Sequence, residues 1–170
     1  MTFNNYTQKS LEAVQSAQNI AVQHSNQQLE QIHLLLALLQ QDGGLTPQLL
    51  RKMGVNAESL EAAAKAEVRN LPTVTGSREA DRFYISAAVD ATFCTAEQQA
   101  QRMKDDFISV EHLLLALIEA AQGSVKNLFE TYRVTKEGVL QALQGIRGSQ
   151  RVTTDNPEST YDALEKYGTD

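Results

Sequence analysis

The sequence predicts an all-α protein built from two four-helix repeats related by a pseudo-twofold axis, eight helices in total. Three observations carry that prediction. His33-Leu34-Leu35-Leu36-Ala37-Leu38 recurs letter for letter as His112-Leu113-Leu114-Leu115-Ala116-Leu117, 79 positions later. The same ungapped offset aligns Leu29 with Ile108, Gly44 with Gly123, Leu49 with Leu128, Val55 with Val134, and Ala17 and Ala21 with Ala96 and Ala100. Apolar residues in both copies recur every three or four positions, as on one face of a helix. A shared helical bias could produce a leucine run twice, but it would not also align the glycines around it. The repeats are expected over about 5–70 and 84–147, within one domain covering 1–147.

The first helix of each copy is long. Ile85, Val89, Phe93, Ala96, Ala100 and Met103 form its stripe in the second copy. Tyr6, Val14, Ala17, Ala21 and His24 do so in the first, where Ser10 breaks the pattern. The leucine runs are the second helices; apolar on nearly every side, they should be buried all round. Ser109 is suited to cap the second of them, with Glu111 in its dipole-favoured first turn. Third helices are expected to start with Thr46-Pro47 and Ser124 as caps, and fourth helices with Asn56 and Thr135. Leu71 to Ser77 reads as the connecting loop.

After Ile146 the periodicity stops. Residues 148–160 read as a flexible linker, and Tyr161, Leu164 and Tyr167 suggest a helix starting within 161–170 and cut short. Five acids against two bases in 148–170 account for half of the net charge of −6.

Composition excludes several function classes. Fifteen basic against 21 acidic residues disfavour a nucleic-acid binder. A single cysteine allows no internal disulfide and suits a reducing, cytoplasmic setting. No signal peptide and no apolar run long enough to span a bilayer is visible, so no membrane association is expected. Neither G-x-x-x-x-G-K-[ST] nor G-x-G-x-x-G occurs, so this segment should bind no nucleotide by itself.

Catalytic constellations are equally sparse. His33 and His112 could share a metal in principle, yet ligand spacings such as H-E-x-x-H are absent; both read as packed, hydrogen-bonded imidazoles. His24 and Cys94 read as structural. Asp105 and Asp106, with Glu111, would need one common pocket to act as acid and base, and turn aspartates ordinarily just stop and start helices. No catalytic residue, metal site or cofactor is therefore expected. What remains is a binding surface where Phe3, Tyr6 and Thr7 meet the second-copy turn carrying Asp105, Phe107 and Glu111. Apolar rings edged by carboxylates suit a weakly specific site for an extended or basic-apolar peptide; alternatively, Phe3 and Tyr6 anchor the terminus and Phe107 plugs the core.

These residues resemble a known family. The duplicated His-Leu-Leu-Leu-Ala-Leu core and the opening Phe3-x-x-Tyr6-Thr7-x-Lys9-Ser10-x-Glu12-Ala13 are similar to the Clp amino-terminal domain. The close, from Asn156-Pro157-Glu158 to Tyr167-Gly168-Thr169-Asp170, resembles the opening of the first ATPase module in ClpB-type disaggregases. The resemblance implies a module that engages exposed apolar segments of unfolded or aggregated proteins and passes them to a ring-shaped ATPase. It implies Thr7, Asp105 and Glu111 as polar positions of the substrate surface, to which Phe3, Tyr6 and Phe107 are added here. ATP and Mg would belong to the full-length protein only, which by resemblance is a homohexamer working with a DnaK-type chaperone system. The fragment alone is expected to be a monomer. An adaptor-docking domain of a ClpA- or ClpC-type protease partner is the alternative.

Overall fold

Side-chain caps set where the first helix of each repeat begins. Thr7 is extended (φ −68°, ψ 162°) and its Oγ1 accepts from Ser10 N–H at 3.2 Å, opening α1 (Gln8–Gln23). Ser86, 79 positions on, accepts from Val89 N–H at 3.2 Å and opens α5 (Ala87–Arg102). Both helices end at a left-handed residue, Ser25 (φ 54°) and Lys104 (φ 58°). Between them lie α2 (Gln31–Gln40), α3 (Leu45–Lys52) and α4 (Ala57–Arg69); α6 (Val110–Ala120), α7 (Gly123–Thr131) and α8 (Lys136–Arg147) follow α5. The computed structural model describes residues 3–74 and 84–147. Residues 75–77 of the connecting loop, the 148–160 linker and the 161–170 segment lie outside the described residues.

The eight helices of the described residues interlock across a pseudo-twofold. In each repeat the first helix packs on the second, α1 on α2 and α5 on α6; α3 packs on α8 while its counterpart α7 packs on α4. Reciprocal contacts of this kind are the mark of a twofold relation. At the centre, α2 and α6 bury Leu34, Leu35, Leu38, Leu113, Leu114, Leu115 and Leu117 completely. Gln31 bonds the halves together. Its amide donates to Thr92 Oγ1 at 3.0 Å and Ala120 O at 2.9 Å, and its oxygen accepts from Gln122 N–H at 3.1 Å.

Three local expectations are corrected. Thr46 does not cap α3; the cap is Gly44, and Thr46 lies buried inside the first turn. A Cβ on Gly44 would sit 2.7 Å from Gln41 Cβ, so close approach of the chain fixes this start. Pro47 is tolerated there because first-turn N–H groups have no intrahelical partner. Ser124 likewise lies inside α7, which is capped by Gln122. Tyr6 and Ile85 are not helical: each precedes its cap, and Ile85 is 40% exposed. Asn56 and Thr135 do cap α4 and α8, accepting from Ser59 and Gly138 N–H at 3.0 Å.

Leu35→Ala and Leu114→Ala should each cost about 2–5 kcal/mol. Because the repeats interlock, urea unfolding followed separately in α1 and α8 should still show one coincident transition.

Candidate functional site

The residues before the helices pair across the seam. Gln28–Leu29 forms a two-residue strand, β1, parallel to β2 (Tyr84–Ile85), with Leu29 opposite Ile85. Its pseudo-equivalent is a single parallel bridge between Tyr6 and Ile108. Ser86 N–H donates to Leu29 O at 3.0 Å, and Thr7 N–H donates to Ile108 O at 2.9 Å. Ile108 N–H donates in turn to Asn5 O at 2.8 Å. Ser10 explains its break in the α1 stripe here: its hydroxyl, fully buried, donates to Ile108 O at 2.9 Å. Thus the expected neighbours do meet, with Tyr6 and Thr7 lying against the 105–108 turn of the second repeat.

Three aromatic rings pack beside that junction. Phe3 and Tyr6 have ring centroids 4.9 Å apart, and Phe93 of α5 lies 5.5 Å from Phe3 and 6.4 Å from Tyr6, all edge-to-face. Tyr6 and Phe93 are buried, whereas Phe3 is half-buried. Burial, with the Glu97 carboxylate and the Cys94 thiol adding to it, pushes the Tyr6 phenol well above its ordinary value. Phe107, also half-buried, makes no ring contact with this trio.

Under the turn lies a buried charged cluster. Arg147, the last residue of α8, pairs with Asp105 through one guanidinium nitrogen and with Glu111 Oε2 at 3.3 Å through another. Both carboxylate side chains are fully buried. His112 Nδ1 accepts from Ser109 N–H at 2.8 Å, which places the proton on Nε2, donated to Asp105 Oδ2 at 2.7 Å. The Ser109 hydroxyl donates to Glu111 Oε1. His112 stands at the third position of α6 in the role a capping box usually gives to Glu or Gln. Two buried carboxylates thus share the Arg147 guanidinium, and one of them also holds the His112 imidazole.

Repeat one supplies an internal control. His33 has the same geometry as His112: Nδ1 accepts from Glu30 N–H at 2.9 Å, and Nε2 bonds Asn26 Oδ1 at 2.8 Å. At the same offset, Asn26 stands for Asp105, Ile32 for Glu111 and Val68 for Arg147. Ile32 and Val68 are buried apolar residues. One backbone geometry therefore exists in a neutral and a charged version, and the charged version is not needed to form it. The family resemblance supplies Thr7, Asp105 and Glu111 as polar surface positions, and the residues themselves give His112 as a hydrogen-bonded imidazole; Arg147 is not among the candidates, and Phe93 reads only as part of the α5 stripe. Comparing the copies beyond their identical core would have exposed the three coordinated exchanges.

Asp106 is exposed while the Asp105 carboxylate is buried, so the two do not face one pocket. Both ring nitrogens of His33 and of His112 are already engaged. Among the described residues no group of three or more His, Cys, Asp or Glu could hold a metal ion. No helix there is long and apolar enough to cross a membrane.

Comparison with known proteins places this geometry. The family model of the Clp repeat (R) N-terminal domain matches residues 5–158. The chain belongs to that family. The chaperone protein ClpB of Bacillus cereus is 44% identical over 171 aligned positions, covering all of this chain and 20% of that protein. ClpB of Clostridium tetani is 38% identical, covering 99% of this chain and again 20% of the relative. The chain thus spans about one fifth of the curated relatives it matches. Among solved structures, the Hsp104 N-terminal domain from Candida albicans superposes with a TM-score of 0.80 at 21% identity, covering 91% of this chain and 99% of that one. The N-terminal domain of ClpD from Arabidopsis thaliana gives 0.66 at 20% identity, with 87% and 98% covered. At that identity the superpositions establish the all-α fold.

Two predictions follow for this Clp N-terminal domain. Arg147→Val alone leaves two buried carboxylates without their cation and should cost about 3–5 kcal/mol. The triple change Asp105→Asn, Glu111→Ile, Arg147→Val copies repeat one and should melt no lower than the parent; calorimetry on both variants checks the contrast. Burial, and secondarily the like charge of His24, lowers His33 to about 4 from 6.5. The unfolded chain then takes up a proton that the folded imidazole refuses. Stability should therefore fall by of order 2–3 kcal/mol as pH drops from about 6.5 towards 4. Urea midpoints across that range should flatten in His33→Gln.

Proposed function

We propose that this domain recruits unfolded or aggregated polypeptide for a ClpB-type disaggregase, engaging exposed apolar segments and handing them to an ATPase ring. The observation that carries the reading is the divergence of the two repeats. Repeat one forms the same geometry with Asn26, Ile32 and Val68, yet repeat two carries Asp105, Glu111 and Arg147 under the turn that bears the half-buried Phe107. Replacing buried charge by apolar groups is often neutral or stabilising, so a charged version that the fold does not require points to use.

In this reading Phe3 and Phe107 meet the client's apolar side chains. Thr7, Tyr6, Asp105 and Glu111 hold the 105–108 turn and the chain before α1 at the spacing that leaves those rings accessible. The domain is a non-catalytic binder, and ATP with Mg serves the rest of a homohexamer that cooperates with a DnaK-type system. Contacts would be weak and tolerant of sequence, because a motor must be able to pull the client away. Six copies on linkers compensate through effective concentration.

Titrating the 170-residue chain with a reduced, carboxymethylated, permanently unfolded protein tests the reading by NMR. Amide shifts should cluster at residues 3–7 and 105–111, and Phe3→Ala with Phe107→Ala should weaken binding about tenfold without changing the fold. Shifts confined to other surfaces would reject the site. Indifference to unfolded chains, with tight one-to-one binding of a folded adaptor, would replace recruitment by adaptor docking.

A further inference from the structure

The two ends of the domain where third and fourth helices of opposite repeats meet are not alike. At the α4–α7 end, Tyr132 follows α7 and its hydroxyl donates to Ser59 O at 3.2 Å, so an aromatic ring closes the junction. The pseudo-equivalent of Tyr132 at the α3–α8 end is Met53, and those of Ser59 and Ala66 are Gly138 and Gly145. There the junction stays open as a cleft of about 610 Å³, lined by Lys52, Met53, Arg133, Thr135, Gly138, Gln141, Ala142 and Gly145.

The two glycines differ in what they are for. A Cβ on Gly138 would fall 3.0 Å from Met53 Cε and 3.1 Å from the Thr135 hydroxyl that caps α8, so packing accounts for it. Gly145 has no such reason. A Cβ there would meet only Lys52 Nζ, at an ordinary 3.8 Å. Glycine inside a helix is nevertheless the worst choice after proline. Its one structural consequence is a bare floor beneath the cleft.

Charge says what the floor would receive. Lys52 and Arg133 are exposed and line the cleft, no carboxylate of the described residues lines it, and neither cation forms an ion pair with a described residue. Elsewhere among the described residues Lys9, Arg51, Lys65, Arg102 and Lys136 pair with glutamates, and Arg69, Lys104 and Lys126 are unpaired but do not line this cleft. In a chain of net charge −6, two unpaired cations flanking a glycine-floored cleft form a complementary seat for negative charge. The volume is that of several side chains rather than of one small ion.

We propose that the α3–α8 cleft binds an extended acidic polypeptide segment, with carboxylates on Lys52 and Arg133 and a small side chain or bare backbone over Gly145. The cleft shares no lining residue with the seam around Tyr6 and Ile108, so it is a second site and does not depend on the recruitment reading.

The test titrates the 170-residue chain with an eight-residue peptide of alternating Glu and Ser, its Lys-Ser counterpart, and inorganic phosphate. The Glu peptide should shift the amides of Met53, Arg133, Gly138 and Gly145 saturably, and the Lys peptide should not. Lys52→Glu with Arg133→Glu should weaken binding at least tenfold. Gly145→Leu should do the same while Gly145→Ala, which favours the helix, raises the melting temperature. Equal binding of both peptides, an unchanged affinity in the charge-reversed variant, or no shift at the cleft would overturn the proposal. Phosphate matching the Glu peptide in affinity and shift pattern would also overturn it, reducing the cleft to a small-anion site.

Discussion

The fold depends on a backbone exchange between its halves. The chain just before each first helix and just before each second helix must run extended, leaving N–H and C=O groups buried and unmet within its own repeat. The other repeat meets them: Thr7 N–H reaches Ile108 O, and Ser86 N–H reaches Leu29 O. A single repeat would have no partner for these groups, and it would also expose one side of its leucine helix. Hydrogen bonding and apolar burial therefore impose the same requirement, that two copies close on each other. Ser10 shows how strongly the exchange constrains sequence, since a hydroxyl on an otherwise apolar stripe is placed to donate to the Ile108 carbonyl.

Duplication under that constraint leaves each copy free to vary wherever the partner does not need it. The environment of the third residue of the leucine helix is such a place. In repeat one it is a neutral imidazole on an asparagine amide; in repeat two the same imidazole bonds a carboxylate that also holds Arg147. The α3–α8 and α4–α7 junctions form a second such pair, one open over glycine and the other closed by Tyr132. In both cases repeat two, or its face of the junction, departs from the simplest solution to the packing problem. Divergence between copies thus separates what the architecture requires from what a partner could exploit.

Much of the architecture was legible in the sequence because the copies are identical where they are most buried. The His-Leu-Leu-Leu-Ala-Leu runs gave the offset, and the caps at Asn56 and Thr135 followed from local chemistry alone. What escaped was non-local. Tyr6 and Ile85 continue the helical spacing, and only pairing with Ile108 and Leu29 makes them extended. Thr46 and Ser124 are good caps by residue type, but the close approach of Gly44 to Gln41 decides where α3 begins. Thr7, Asp105 and Glu111 were singled out as polar positions of a surface; the structure places them in buried bonds, with Phe3 and Phe107 left as the half-exposed groups beside them. Nothing local in a terminal Ile146-Arg147 marks its guanidinium for a turn far back in the chain.

Native-state hydrogen exchange addresses the seam most directly. The amides of Thr7, Ser86 and Ile108 sit at the ends of elements, where exchange through local fraying is ordinary. If the reciprocal bonds fasten the halves, these three amides exchange only with the leucine helices, at the free energy of global unfolding. Exchange of Thr7 and Ser86 orders of magnitude faster than that of Leu35 and Leu114 would show two halves joined by apolar contact alone, contradicting the account.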